Sequence, residues 1–392
     1  MISLLHTPDG VRDLYGEELN QKISISSLIL NTISRYGYER IDTPAFEYFD
    51  VFSKDIGTIP SKDLYKFFDK EGNTLVLRPD FTPSVARCAA KYFSDSDLPL
   101  RFSYTGNTFI NTNELQGKLK ETTQIGFELI NDSSIYADAE ALSIVIESLL
   151  KVGITEFQVS ICESNYFKGL CEEANLDEET EMTLRDFITS KNYYAAREFL
   201  KKSNIDAAFL DRLEAISKVF LPEEEMINLA KDATNERSKN AIERLIAIKN
   251  LLAKKGYDRY ISFDLTMLSK YHYYTGIIFT AYTYGIGNAI AKGGRYDNLI
   301  EKFGKQAPSV GCVFMIDEIQ TAVRRQGIEI RDSKTEKTVI IYTEENYEKA
   351  VEEADARRNK GENAELVFAH EENLDAFLGK EKELGNLVIV LK

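Results

Sequence analysis

Two extended-looking stretches, Tyr65-Lys-Phe-Phe-Asp69 and Thr74-Leu-Val-Leu-Arg78, lie so close along the chain that only one geometry can join them. A parallel pair needs a crossover of about a dozen residues, whereas Glu71-Gly72-Asn73 supplies the glycine and short polar side chain of a tight reversal. The spacing predicts an antiparallel hairpin. Leu100-Arg-Phe-Ser-Tyr104 and Glu121-Thr-Thr-Gln-Ile-Gly-Phe-Glu128 read as a second strand pair. A helix is expected from Thr82, because Pro83 suits a first turn whose backbone N–H has no partner. Strands and helices thus mix without the strict alternation of a doubly wound sheet, and the expected class is α+β, a mainly antiparallel sheet flanked by helices.

Leu19, Ile23, Leu30 and Ile33 recur at helical spacing, and Tyr36-Gly37-Tyr38 ends that helix before an extended stretch, Arg40-Ile-Asp-Thr-Pro44. From about residue 165 to 256 the strand signal fades. Leu184, Phe187 and Ile188, then Leu245, Ile248 and Leu252, keep a helical period there, which predicts a helical insertion. Strand-like sequence resumes at Tyr260-Ile-Ser-Phe-Asp-Leu265 and Tyr274-Thr-Gly-Ile-Ile-Phe-Thr280. Gly285-Ile-Gly287 and Gly293-Gly294 then read as a tight turn between antiparallel strands. A polar stretch, Arg331-Asp-Ser-Lys-Thr-Glu336, separates a core of residues 1–325 from a small α/β unit, 336–392. That unit carries Thr338-Val-Ile-Ile-Tyr342, a charged helix from Glu345 to Asn359, Glu365-Leu-Val-Phe368 and Leu387-Val-Ile-Val-Leu391, a βαβ-type order.

Charge narrows the range of partners. Against 63 acidic residues there are 48 basic ones, a net charge of −15 over 392 residues. The average field repels phosphate backbones, so no nucleic-acid partner is expected. No apolar run approaches the roughly 20 residues that cross a bilayer, and the first residues lack the basic end and apolar stretch of a signal peptide. A cytoplasmic protein without a membrane partner is expected. Cys88, Cys162, Cys171 and Cys312 are scattered and the histidines are only His6, His272 and His370. Neither a metal nor another cofactor is expected, and the cysteines should be reduced.

The glycines from Gly285 to Gly294 match neither a dinucleotide fingerprint nor a phosphate loop, lacking the third glycine of the one and the Lys-Ser/Thr of the other. A more informative set is Asp80, Thr82, Gln124 and Glu128, each at the end of an expected strand or the start of a helix, with Tyr273 and Tyr274 in a later strand. Two carboxylates suit an ammonium or imidazolium group, Thr82 and Gln124 add neutral hydrogen bonds, and the tyrosines add aromatic walls with polar tips. Spacing alone leaves open that these are unrelated surface residues.

Taken in order, the motifs resemble those of histidyl-tRNA synthetase, a class II aminoacyl-tRNA synthetase, over nearly all of Met1 to about Ala322. Thr7-Pro-Asp-Gly-Val-Arg-Asp13 is similar to that family's opening, and Tyr36-Gly-Tyr-Glu-Arg-Ile-Asp-Thr-Pro-Ala-Phe-Glu47 to its first, dimer-forming motif. Leu77-Arg-Pro-Asp-Phe-Thr82 is similar to its Leu-Arg-Pro-Glu-Gly-Thr element. Gln124-Ile-Gly-Phe-Glu128 matches its Gln-x-Gly-x-Glu, Tyr273-Tyr274-Thr-Gly276 its Tyr-Tyr-Thr-Gly, and Gly293-Gly-Arg-Tyr-Asp297 its Gly-Gly-Arg-Tyr-Asp. The resemblance implies that Asp80, Thr82 and Gln124 hold the α-amino end of a bound histidine, and that Glu128 and Tyr274 face its imidazole.

Departures from the pattern are as informative. The family's motif 2 arginine, within Phe-Arg-x-Glu, falls on Ile110 of Phe109-Ile110-Asn111-Thr112. A second catalytic arginine falls on Ser269 of Ser269-Lys-Tyr-His-Tyr-Tyr274, with Lys270 a displaced substitute. The arginine that ends motif 3 is replaced within Met315-Ile-Asp-Glu318 by Glu318, which sets a negative charge where a polyphosphate would lie. Losing one charge-stabilising donor typically costs about 2.7–4 kcal/mol of transition-state stabilisation, so three losses imply no adenylation. The 336–392 unit resembles a truncated anticodon-binding domain. A kept pocket with lost arginines is similar to the regulatory subunits of ATP phosphoribosyltransferase. That likeness implies a short-form catalytic subunit as partner, L-histidine as feedback effector, and a homodimer within a larger hetero-oligomer. An active histidyl-tRNA synthetase or amino-acid:carrier ligase, and an uncharged-tRNA sensor, are the alternatives.

Overall fold

Short connections and strand pairing agree in the computed structural model, which describes residues 4–53, 59–111, 118–202, 209, 212–213, 221–268, 274–330, 337–370, 377–379 and 387–391. Helix α1 (Gly16–Arg35) closes at Tyr36-Gly37, where Gly37 takes a φ of 81° that favours glycine. Strand β1 (Glu39–Arg40) is shorter than expected: residues 41–44 leave the sheet after two pairs with the later strand Leu100–Phe109. Next come β2 (Phe46–Tyr48), then β3 (Lys66–Phe68) and β4 (Thr74–Leu77), the expected hairpin. These three form a small antiparallel sheet in the order β2-β4-β3. Helix α2 (Thr82–Tyr92) follows with Pro83 in its first turn.

The central sheet begins with β5 (Leu100–Phe109) and β6 (Glu121–Ile130), paired antiparallel over their whole length. Helix α3 (Ile135–Val152) is capped by the Ser134 hydroxyl, which accepts from the Ala137 N–H at 3.3 Å, and stops at Gly153 with φ 97°. Strand β7 (Phe157–Glu163) leads into helices α4 (Ser164–Glu173), α5 (Glu178–Thr189), α6 (Tyr193–Lys202), α7 (Glu223–Asp232) and α8 (Glu236–Ala253). The chain returns through β8 (Ile261–Phe263), β9 (Ile277–Thr283), β10 (Ala291–Arg295) and β11 (Ser309–Met315) to helix α9 (Ile316–Gln326). The eight-stranded order is β1-β5-β6-β11-β10-β9-β7-β8, antiparallel except where β1 joins β5 and β8 joins β7.

Packing fixes the sheet against α3, most of whose side chains are buried. Asp138 on this helix is fully buried and takes the Arg295 guanidinium of β10 on one carboxylate oxygen, at 2.9 and 2.6 Å, and Arg244 of α8 on the other. Two cations offset the cost of burying that carboxylate. Gly293 and Gly294 lie inside β10, so the expected turn is instead a strand and only Gly285 and Gly287 sit in a reversal. A Cβ on Gly293 would stand 2.4 Å from the Gly311 carbonyl oxygen and the Phe279 ring. The glycines are there for close strand packing.

The chain divides into two compact units, Met1–Leu14 with Ile25–Glu329, and Tyr15–Ser24 with Ile330–Lys392. In the second, β12 (Lys337–Tyr342), helix α10 (Tyr347–Arg358), β13 (Asn363–Phe368) and β14 (Leu387–Leu391) form a parallel sheet in the order β13-β12-β14. Ile340 packs with Ala350 and Ala354 of the helix on one face, and Val339 and Ile341 with Ala369 on the other. Among the described residues no helix is long and apolar enough to cross a membrane.

Candidate functional site

Strand register brings distant residues onto one face of the central sheet. Glu128 of β6 lies opposite Gly311 of β11, which lies opposite Gly294 of β10. One pleat further, Tyr104, Gly126, Val313 and Lys292 form a second row across β5, β6, β11 and β10. Directly opposed residues share a face and the pleat has a period of two, so both rows look the same way. Above them lies a recess of ≈ 50 Å³ walled by Asp80 and Thr82 at the start of α2, by Glu128, and by Tyr274 and Tyr296.

Glu128 is the chemical centre. One of its carboxylate oxygens accepts from the Thr82 hydroxyl at 3.0 Å and the Tyr104 hydroxyl at 3.1 Å, and the other from the Tyr296 hydroxyl. It is only 1% exposed. Burial pushes its carboxyl up to about 8, with Asp80 adding to the rise while the hydroxyls from Tyr296, Thr82 and Tyr104 oppose it. Glycines make the room. A Cβ on Gly311 would fall 1.6 Å from the Glu128 Oε2, and one on Gly126 would fall 2.3 Å from the Tyr104 phenol. Phe81 stacks on Tyr104 at 4.5 Å between ring centroids and holds that phenol against Glu128.

Of the residues expected at a site, Asp80, Thr82, Glu128 and Tyr274 meet at the recess. The Asp80 carboxylate also accepts from the Thr82 N–H at 3.3 Å, bracing the first turn of α2. Tyr274 lies in the loop before β9 and not within a strand, a correction to the expected placement. Its neighbour Thr275 ties the loop to β10, donating its N–H to the Arg295 carbonyl at 2.8 Å. Gln124 differs from expectation: it shares the Glu128 face, two pleats away, but does not line the recess. Its amide nitrogen lies 3.9 Å from the Met315 sulfur, and its buried carbonyl oxygen has no partner among the described residues. Tyr273, Ser269 and Lys270 lie outside the described residues.

Of the three positions where the resemblance leads one to expect an arginine, the two described, 110 and 318, carry no cation. Ile110 follows β5 and donates its N–H to the Lys120 carbonyl at 2.9 Å, and Glu318 in the first turn of α9 accepts from Asn288 at 2.9 Å. Nearby guanidiniums are committed elsewhere. Arg295 is held by Asp138, and Arg78 donates to the Asn107 and Thr43 carbonyls at 2.8 and 2.7 Å. Among the described residues, Lys292 is the one cationic side chain that lines the recess. Sequence reasoning missed Lys292, Tyr104, Tyr296 and Gly311. The available signal was Gly126 between Gln124 and Glu128, a gap on a strand face that some larger side chain must fill.

A family model described as histidyl-tRNA synthetase matches residues 10–319. A Nostoc histidyl-tRNA synthetase shares the fold with a TM-score of 0.82 at 19% identity, over 98% of this chain and 90% of that one. The class is thus a histidyl-tRNA synthetase-like protein with a class II α+β core. Closer similarity is to the ATP phosphoribosyltransferase regulatory subunit of Acetivibrio thermocellus, 37% identical over 91% of this chain and 85% of the relative. The protein of the same name from Ruminiclostridium cellulolyticum is 34% identical over 98% and 92%. A Bacillus halodurans crystal structure titled ATP phosphoribosyltransferase regulatory subunit/histidyl-tRNA synthetase superposes with a TM-score of 0.88 at 30% identity, covering 100% of both chains. This chain belongs to the family of ATP phosphoribosyltransferase regulatory subunits.

Proposed function

We propose that this chain is a non-catalytic regulatory subunit that works with a short-form ATP phosphoribosyltransferase catalytic subunit in the first step of L-histidine biosynthesis. In this reading L-histidine is the feedback effector and binds in the Glu128 recess. The observation that carries it is the pairing of a buried, hydroxyl-braced carboxylate with a recess that no guanidinium among the described residues lines. A carboxyl held near the titration range of imidazole can share one proton with a histidine side chain, and Asp80 can meet the ammonium end. Adenylation needs cations on the α- and γ-phosphates. Ile110 and Glu318 provide none.

Regulation follows from linkage: histidine changes partner activity only by the difference in its affinity for two arrangements of the complex. Phe46 and Tyr48, with Phe67 on the neighbouring hairpin, leave aromatic rings 51%, 58% and 37% exposed on the small sheet, which supports a homodimer through this region within a larger hetero-oligomer. The net charge of −15 argues against a tRNA partner. We place the protein in the cytoplasm, without a membrane partner. The test is to assay phosphoribosyl transfer by a short-form catalytic subunit with and without this chain while titrating histidine. Activity that depends on the chain and falls with histidine is expected. Histidine-dependent pyrophosphate exchange by the chain alone would favour a synthetase instead, and salt-sensitive tRNA binding would favour a tRNA sensor.

A further inference from the structure

The recess has an acidic end, Glu128 and Asp80, and a basic residue one pleat along the sheet face, Lys292. Gly126 stands in the same row, two strands from Lys292, and the Tyr104 phenol covers it. Val313 is the apolar neighbour on the intervening strand. No hydrogen bond or ion pair joins the Lys292 ammonium to another described residue, and the side chain keeps contact with solvent. The protein packed around it lowers its pKa, Glu318 opposes that shift and Lys118 adds to it. Charge separated in this way matches a zwitterion, whose ammonium or imidazole and carboxylate lie at opposite ends of a small molecule.

We propose that Lys292 is a specificity residue, the carboxylate anchor of the bound amino acid, and that it takes over one of the contacts an arginine would otherwise make. The assignment rests on the reading of the recess as a histidine site. A single ammonium with Glu318 close by can hold one carboxylate. It does not make the planar, bidentate clamp with which guanidiniums grip phosphates, so the same substitution keeps recognition and forgoes phosphate chemistry.

The experiment is calorimetric titration of the full chain and of its Lys292→Met and Lys292→Arg variants with histidine and with histidinol, which lacks the carboxylate. Methionine keeps the aliphatic stem at an exposed position, and melting temperatures check that the variants fold. Lys292→Met should weaken histidine by about tenfold or more while changing histidinol by less than about twofold, and Lys292→Arg should retain most of the histidine affinity. Equal losses for both ligands, or no loss for histidine, would overturn the lysine assignment and leave the histidine reading standing. No binding of either ligand by the parent chain removes both.

Discussion

With histidine bound as proposed, Glu128 makes recognition a question of proton counting. Burial holds its carboxyl at about 8, and free imidazole titrates at about 6.5. Between those values carboxyl and imidazole together bring one proton, which the bound pair shares without exchange with solvent. Above about 8 the site has lost its proton, and binding must take one up. Below about 6.5 the pair carries two, and binding must release one. Affinity measured against pH should therefore plateau between these limits and fall by about tenfold per unit on either side; a flat profile would argue against Glu128 as the imidazole partner. Glu128→Gln should erase the alkaline fall. Glu128→Ala and Asp80→Ala should each weaken histidine inhibition of the complex while leaving assembly intact, read by inhibition curves beside sedimentation. Gly311→Ala should remove histidine binding altogether, because its methyl would occupy the position of a Glu128 oxygen. The residues on the recess that were legible in the sequence, Asp80, Thr82, Glu128 and Tyr274, belong to short local motifs. Lys292 and Tyr296 were not, since only strand register across more than 150 residues of intervening chain brings them to Glu128.

The same distinction holds for elements. Helix α2 and the β3–β4 hairpin carry their own start and stop signals, and both form where the sequence indicates. Gly293-Gly294 misleads because glycine ordinarily marks reversals. Here it answers a crowding that exists only once β9, β10 and β11 are side by side. The bond between layers is the buried Asp138 carboxylate with Arg295 and Arg244. Arg295→Met strands part of that charge and leaves a cation of the sheet unreplaced. It should lower unfolding free energy by about 3–5 kcal/mol in denaturant titration, without moving the pH profile of histidine binding. A loss below 1 kcal/mol would show that the clamp between α3 and β10 is not a principal support of the sheet.

Across the whole molecule, the chain keeps the class II synthetase core, and in the proposed function Ile110, Ser269 and Glu318 stand where adenylation chemistry would need arginines. The aromatic face on β2 and β3 predicts a dimer in sedimentation, and Phe46→Ser combined with Phe67→Ser should shift it toward monomer while the isolated recess still binds histidine. That outcome would separate assembly from recognition. The measurement closest to the central claim is calorimetric titration of histidine into the full chain in the presence of ATP and magnesium. The account predicts a saturating isotherm with one histidine per chain and no continuing heat of turnover. A steady heat accompanied by pyrophosphate release, or no binding of histidine at all, would contradict it.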